Sequence, residues 1–170
     1  YIFAISKLLK IDRVSFFRSL TSFTGLPHRY EIFFKRNNCT FINDSKATTF
    51  QATKFALENT KNIYWIVGGI PKKNDSFVLK NVKKNIIKSY IIGNNVNFFK
   101  RQLMNKVNYY VSKNLKNSIT KILQDIKRHK TKNNIILLSP ASASFDQFLN
   151  FEKRGEEFKR LSKFYARKYI

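Results

Sequence analysis

The chain has 170 residues, of which 43% are hydrophobic and 15% aromatic, so it can bury one core and is not intrinsically disordered. Its one cysteine, Cys39, excludes a disulfide scaffold and fits a reducing compartment. No stretch approaches the roughly 18–20 consecutive apolar residues that a membrane span needs. We therefore expect a cytoplasmic protein without a membrane span.

The formal net charge of +23, from 33 Lys+Arg against 10 Asp+Glu, has two explanations. A nucleic acid or an anionic membrane as partner would require the basic residues to form a patch. The lysines are instead spread along the whole chain among Asn, Ile, Phe and Tyr, a composition that AT-rich coding also produces. We favour the compositional explanation and expect no nucleic-acid partner.

The first residues predict two helices, at 2–9 and 14–23, because apolar residues recur there at helical spacing. Both patterns stop before Gly25 and Pro27, since glycine caps helices and proline discourages their continuation. We place a domain boundary here, with residues 1–26 as the helical end of one domain and residues 27–170 as a second domain. The helical pattern begins almost at Tyr1, so we expect the chain to be a fragment of a longer protein.

From residue 30 onward, strand and helix patterns alternate. The predicted elements are a hairpin of 30–34 and 40–42, helices at 47–59, 77–82, 96–104, 118–128 and 148–169, and strands at 63–67, 86–92, 107–111 and 135–138. This alternation predicts an α/β fold with a mainly parallel, Rossmann-like sheet and helices on both faces. Ligands of such sheets bind at the carboxyl ends of the strands, here in the loops after Ile42, Val67 and Leu138.

The loop after Ile42 is polar and opens a helix, so backbone N–H groups, hydroxyls and Lys46 could converge on an anion. The simpler interpretation is an ordinary helix start with Asp44 or Ser45 as the N-cap. Capping and binding are compatible.

Taken alone, the loops after Val67 and Leu138 are weaker indications of a binding site. Gly68 and Gly69 allow a sharp turn that would bring Lys72 over the sheet edge, but the spacing is not that of a Walker loop. The alternative is a simple strand-ending turn with solvated lysines.

The loop at 138–146 combines small residues with three serines, which lets a ligand approach the backbone, and it lacks the G-x-S-x-G pattern of a serine nucleophile. Its alternative interpretation is a flexible connection that caps the last helix.

Five segments in this order resemble the Mur ligase family, in particular its D-glutamate-adding branch. They are GLPHRYE at 25–31, FINDSKATT at 41–49, the double-glycine loop with Lys72, LSPASASFDQF at 138–148 and NFEKRGEEF at 150–158. The sequence departs from the family at Thr49, where asparagine is usual, and at Ser142, where cysteine is frequent. Both residues keep the small or polar character of the position.

The resemblance implies a monomeric ATP-dependent ligase of peptidoglycan synthesis that adds D-glutamate to UDP-N-acetylmuramoyl-L-alanine. The family has a uridine-nucleotide domain, a central P-loop ATPase and a third domain that holds the amino acid. Residues 1–26 would end the central domain and residues 27–170 would form the third. Catalytic residues and the ligands for ATP and Mg²⁺ would then lie mainly upstream, so this chain alone would be inactive and would contain no metal site.

Matched residue by residue, the resemblance assigns two sets of contacts. Arg29 and Asp44 would contact the nucleotide. The D-glutamate would be surrounded by Lys72, Thr48, Ser144, Phe145 and Phe151, with Lys46 supporting both regions. A dianionic amino acid needs a cation and hydroxyl or backbone donors, which this set supplies. Phe151 would contribute through its backbone.

Two other functions remain open. Another amide ligase of the superfamily, such as a folylpolyglutamate synthase, would lack an upstream uridine-nucleotide domain. A basic α/β module without chemistry would bind DNA or RNA in a salt-sensitive way.

Overall fold

Six strands form one sheet in the computed structural model, which describes residues 1–78, 81–129 and 131–170. The sheet order is β1-β2-β6-β3-β4-β5. The strands are β1 Glu31–Arg36, β2 Cys39–Asn43, β3 Ile63–Gly68, β4 Ile86–Ile92, β5 Tyr109–Lys113 and β6 Asn134–Leu138. β1 runs antiparallel to β2, and the other neighbouring pairs are parallel. The predicted mainly parallel α/β sheet is confirmed.

Helices cover both faces of this sheet, as alternating side chains on β3 show. Tyr64 and Ile66 point into a core cluster with α5 (Leu115–His129) and α6 (Phe151–Tyr169). Ile63, Trp65 and Val67 point into the opposite cluster with α3 (Phe50–Asn59) and α4 (Val96–Leu103). Because β3 is completely buried, it carries a continuous apolar run instead of alternating polar and apolar residues.

Most elements lie where the sequence predicts them, with shifts of a few residues at their ends. The strand predicted at 86–92 is confirmed at both ends. The helix predicted from residue 47 begins at Phe50, because the Thr49 hydroxyl accepts a hydrogen bond from the Ala52 N–H at 3.1 Å and caps it. Asp44 and Ser45 are therefore not the N-cap. The last helix begins at Phe151, capped by Asn150, instead of at residue 148.

The helix predicted at 77–82 is wrong in its described part; its residues 79 and 80 lie outside the described residues. Phe77 is in a loop, and its N–H donates to the Gln102 side chain at 2.9 Å. A single 3₁₀ turn, Lys83–Asn85, precedes β4. Phe77 and Val82 are both buried, so their apolar character reflects a loop that is anchored in the core.

The first two helices, α1 (Ile2–Leu8) and α2 (Arg13–Ser22), confirm the predicted pair. The Phe3 and Phe16 rings lie 5.7 Å apart between them. Neither helix packs extensively against the sheet. Many of their apolar side chains are consequently exposed, including Ile2, Ile5, Leu8, Val14, Phe17, Leu20 and Phe23. None of the helices in the described ranges is long and apolar enough to cross a bilayer.

Candidate functional site

Four loops meet at the carboxyl edge of the sheet, because β2, β6, β3 and β4 are neighbours that run in parallel. We call them the carboxyl-edge loops: residues 44–49 after β2, 69–76 after β3, 93–95 after β4 and 139–150 after β6. Hydrogen bonds join each loop to a neighbour. The three loops expected to carry chemistry are among them.

The loops after β3 and β6 are held together by a short antiparallel pairing. The Ile70 and Ala143 backbones exchange two N–H···O bonds, each 2.9 Å long. This approach requires Gly69, because a Cβ at that position would lie 2.3 Å from the Ala143 carbonyl oxygen. Its φ of +134° also favours glycine. The loop of Lys72 therefore lies directly beside the loop of Ser144.

The loop after β3 also contacts the loop that begins α3. The Phe50 N–H donates to the Asp75 carboxylate at 2.9 Å. The Asp75 N–H in turn donates to the Lys72 carbonyl at 3.2 Å and closes a turn. Thr48, two residues before Phe50, and Lys72 are thus on adjoining loops, although Lys72 itself is exposed.

The loop after β4 is joined to both of the loops beside it. The Asn94 N–H donates to the Asp146 carboxylate at 2.9 Å, and the Asn95 side chain donates to the Gly69 carbonyl at 2.9 Å. Gly93 leaves room for this contact, since a Cβ there would lie 2.4 Å from an Asp146 oxygen. The segment that carries Ser144 and exposed Phe145 is therefore fixed on either side, at Ala143 and at Asp146.

Asp44 is a buried carboxylate between the first strand pair and β6. It accepts a 2.6 Å hydrogen bond from the Ser139 hydroxyl and a 3.1 Å bond from the Tyr30 N–H. Burial raises the pKa of Asp44 to about 6, although these bonds and the charge of Arg29 act in the opposite direction. Arg29 is exposed and directly precedes Tyr30, whose N–H donates to Asp44, so the two predicted nucleotide contacts lie on adjoining segments.

Lys46 and Phe151 meet in a cation–π contact, with the Lys46 ammonium 3.7 Å from the ring centroid. The edge of the His28 ring packs against the same phenyl ring at a centroid distance of 5.9 Å. The Phe151 carbonyl accepts from the Ser45 hydroxyl at 2.8 Å. Because Phe151 is the first residue of α6, its N–H has no partner inside the helix.

His28 is part of a buried polar network at the start of the domain. Its Nδ1 accepts from the Asn43 amide at 2.9 Å, and the same amide donates to Glu31 at 3.0 Å. Glu31 also pairs with Lys159 of α6. The helix can approach this closely because Gly155 has no side chain: a Cβ there would lie 2.1 Å from the His28 ring.

The sequence predicts no binding role for several residues that organise the site, among them His28, Asn43, Asp146 and Arg154. Arg154 is 1% exposed, and its guanidinium binds both the Ser45 and Ser142 segments. The one available signal was an Arg–Gly pair in an otherwise highly charged helix. The predicted roles of Lys72, Thr48, Ser144 and Phe145 remain predictions.

The residues of the described ranges do not form a site for Mg²⁺. No group of three His, Cys, Asp or Glu side chains in those ranges is close enough together to hold a metal ion. Asp44 is enclosed by Ser139 and Tyr30, and Asp75 and Asp146 accept backbone N–H groups. The described donor set therefore does not fit the metal that an ATP-dependent ligase uses.

The sheet and its carboxyl-edge loops place the chain among the α/β proteins whose ligands bind at the carboxyl ends of parallel strands. Profiles of known protein families give no match to the chain. Individual relatives do match it. The chain is 42% identical over 158 residues to the UDP-N-acetylmuramoylalanine--D-glutamate ligase of Wolbachia from Brugia malayi. The aligned residues make up 93% of the chain and 32% of that ligase.

Two further relatives carry the same name. The Agrobacterium fabrum ligase is 42% identical over 82% of the chain and 30% of its own length. The Fusobacterium nucleatum ligase is 41% identical over 95% of the chain and 38% of its own length. The chain thus spans about a third of the length of these relatives. It belongs to the Mur ligase family, within the branch of the UDP-N-acetylmuramoylalanine--D-glutamate ligases.

Proposed function

We propose that this chain is the D-glutamate-holding, domain-closing part of a ligase that uses ATP to join D-glutamate to UDP-N-acetylmuramoyl-L-alanine. The observation that carries the proposal is the direct joining of the three loops whose sequences match the family. The Ile70–Ala143 pairing joins the loop of Lys72 to the loop after β6, and the Phe50–Asp75 bond joins it to the start of α3, directly after the loop that follows β2. We infer the two substrates from the names of the relatives, which are UDP-N-acetylmuramoylalanine--D-glutamate ligases.

D-Glutamate carries two carboxylates and one amine, and the carboxyl-edge loops offer matching groups. Lys72 supplies an exposed cation on a loop fixed at Asp75. Thr48 and Ser144 supply hydroxyls, and the first turn of α6 supplies the Phe151 N–H. Charge-assisted hydrogen bonds of this kind are the strong ones, and they favour a dianion over a neutral amino acid. Phe145, which is 70% exposed, would form the outer wall.

Lys46, Arg29 and Asp44 form the second part of the proposed site, toward the nucleotide. The exposed Arg29 guanidinium suits the phosphates or ribose of ATP, for which its planar fork offers paired donors. The Phe151 ring fixes the Lys46 ammonium between the two regions. Asp44 holds the loop that carries Lys46 against β6 through Ser139.

ATP supplies the phosphoryl group that activates the alanine carboxylate of the nucleotide substrate. The residues of this chain hold the amine of D-glutamate toward the activated carbonyl carbon, where a carbon–nitrogen bond replaces the bond to phosphate. A closing domain orients the amine and excludes water that would hydrolyse the activated acid. Most of the ATP and Mg²⁺ ligands would lie outside this chain, which we propose to be inactive alone.

The proposed enzyme acts in the cytoplasm as a monomer in peptidoglycan synthesis. Residues 1–26 would end the ATPase domain, and residues 27–170 would form the amino-acid-holding domain. The exposed apolar side chains of α1 and α2 support this division, since these helices do not pack extensively against the described part of the second domain.

A chimera tests the proposed function. The matching third of the Wolbachia relative is replaced by this chain, and D-glutamate-dependent ADP formation is measured with UDP-N-acetylmuramoyl-L-alanine. Lys72→Ala should raise the KM for D-glutamate by roughly tenfold to a hundredfold, the cost of a lost charge-assisted bond of about 1.5–3 kcal/mol. The KM for ATP should stay within about twofold.

The adjacent exposed lysine gives a matched control. Lys73→Ala removes the same charge one residue away, and it should leave the KM for D-glutamate nearly unchanged. An active chimera in which Lys72→Ala and Lys73→Ala behave alike would contradict the assignment of Lys72.

A further inference from the structure

Arg154 of α6 is a charged side chain that is almost completely enclosed by the protein. It is 1% exposed and is among the largest fully buried side chains. Its Nε donates to the Ser45 hydroxyl at 3.0 Å, and its Nη2 donates to the Ser45 carbonyl at 2.8 Å and to the Ser142 carbonyl at 3.0 Å. One guanidinium thus joins α6 to the loops after β2 and β6.

The hydrogen-bond partners of this guanidinium are all neutral. No carboxylate within the described ranges forms a salt bridge with Arg154. Its remaining nitrogen, Nη1, is buried without a hydrogen-bond partner. Burial accordingly lowers the pKa of Arg154 to about 10, with only the more distant Asp146 charge opposing this.

A buried guanidinium with only neutral partners lowers the stability of the fold, so stability by itself does not explain its presence. A buried charge without a counter-ion loses several kcal/mol of solvation, and an apolar side chain of similar size would avoid that loss. The bonds are also directed at two particular segments. Ser45 immediately precedes Lys46, and Ser142 lies two residues before Ser144. Arg154 therefore acts on the loops that the proposed function assigns to D-glutamate.

We propose that Arg154 is a positioning residue for D-glutamate, an inference that rests on the proposed function. Its guanidinium fixes the loop of Lys46 against the loop of Ser144, so that their ligand-facing groups keep a set spacing. Its uncompensated charge adds a favourable potential for the dianionic amino acid, whose carboxylates supply the counter-charge that the protein lacks. Arg154 itself does not touch the substrate.

Two substitutions in the chimera separate the contribution of the Arg154 hydrogen bonds from that of its charge. Arg154→Lys keeps the charge but has a single nitrogen, which cannot make the Ser45 and Ser142 bonds together. Arg154→Gln keeps an amide donor and removes the charge. We expect both to raise the KM for D-glutamate, with Arg154→Gln reaching about tenfold or more, equivalent to about 1.4 kcal/mol. Arg154→Lys should lie between that variant and the unsubstituted chimera.

The expected KM for ATP stays within about twofold in both variants, because the loss concerns amino-acid capture. A purely structural role predicts something else: reduced thermal stability or a reduced fraction of active enzyme, with both KM values unchanged. Arg160 gives the matched control, since it lies on the same helix, is exposed and, among the described residues, forms its one salt bridge with Glu157. Arg160→Lys and Arg160→Gln should leave both KM values unchanged.

Ser45→Ala keeps the inference testable if the Arg154 variants do not fold. It removes the hydroxyl that accepts from Nε and donates to the Phe151 carbonyl, and it leaves the Arg154 charge in place. We expect an increase of about threefold to tenfold in the KM for D-glutamate, as for loss of one to two hydrogen bonds.

The results distinguish the two proposals. A chimera that forms no product with D-glutamate contradicts the proposed function itself. A chimera that uses D-glutamate normally after each substitution at Arg154, or after Ser45→Ala where those fail to fold, overturns the positioning role and leaves the proposed function standing.

Discussion

At the scale of single residues, Asp44 shows most clearly how the site departs from what stability alone would select. Its carboxylate is enclosed by Ser139, Tyr30 and the strand ends, and burial raises its pKa to about 6 from an ordinary value of 3.8. The folded protein therefore holds a proton on this group more tightly than the unfolded chain does. The resulting stability is complete below about pH 4 and is lost as the pH rises through about 6.

Because the pKa of Asp44 is raised, the Asp44→Asn variant, whose side chain is uncharged at every pH, should be more stable than the unsubstituted chain. Relative to the unsubstituted chain, the variant should gain unfolding free energy between pH 4 and pH 8, by about 2–3 kcal/mol at most. Urea unfolding at pH 4, 6 and 8 measures the difference. Glu58→Gln is the control, since Glu58 is exposed and its one salt bridge, 3.9 Å long, is to Lys54.

A constant difference between Asp44→Asn and the unsubstituted chain across this range would show that Asp44 has no raised pKa. The expected gain in stability should be accompanied by weaker nucleotide use in the chimera, because the proposed function gives Asp44 a role there. Stability and function would then have opposite requirements at one residue.

Residues such as Arg154 and His28 mark the limit of what the sequence predicts at this scale. The family-like segments identify the loops, because turn glycines and small polar residues are local signals. The buried network depends on Gly155 and Asn43 meeting across 112 residues of chain, and no local pattern encodes that contact. An arginine in a helix of many charges predicts a solvated side chain, whereas Arg154 is 1% exposed.

At the scale of elements, the sequence predicts regular strands well and loops poorly. β4 is bounded as predicted because seven residues of strand pattern end at Gly93. The helix predicted at 77–82 is wrong where it is described, since apolar residues that anchor a loop give the same spacing as a short helix. α3 begins three residues later than predicted, because Thr49, and not the earlier Asp44 or Ser45, makes the capping hydrogen bond.

The domain boundary remains a prediction and is testable by truncation. A chain of residues 27–170 should fold as it does with residues 1–26 present, because α1 and α2 do not pack extensively against the sheet. We expect the same cooperative unfolding transition, with the unfolding free energy changed by less than about 1 kcal/mol. Urea denaturation followed by circular dichroism measures this.

Removal of these helices should also reduce self-association, since it deletes exposed apolar side chains such as Phe17 and Phe23. Loss of the cooperative transition in residues 27–170 would contradict the boundary and place α1 and α2 within the folding unit.

At the scale of the whole molecule, charge is distributed unevenly between the two edges of the sheet. Acidic residues gather toward the carboxyl edge: Glu31, Asp44, Asp75, Asp146, Glu152, Glu156 and Glu157. The opposite edge exposes basic residues: Lys35, Lys61, Lys83, Lys84, Lys127, Arg128, Lys132, Arg167 and Lys168. The proposed D-glutamate site lies at the carboxyl edge, and the basic residues of the opposite edge provide the comparison for unselective binding of an anion.

Titration of the ¹⁵N-labelled chain with D-glutamate, and separately with L-glutamate, tests the central claim most directly. We predict that D-glutamate shifts the amide resonances of residues 44–49, 69–76 and 139–151 at lower concentration than L-glutamate does, and that Lys72→Ala abolishes this difference. Equal responses to the two enantiomers, or shifts confined to the basic residues of the opposite edge, would contradict a D-glutamate site at the carboxyl-edge loops.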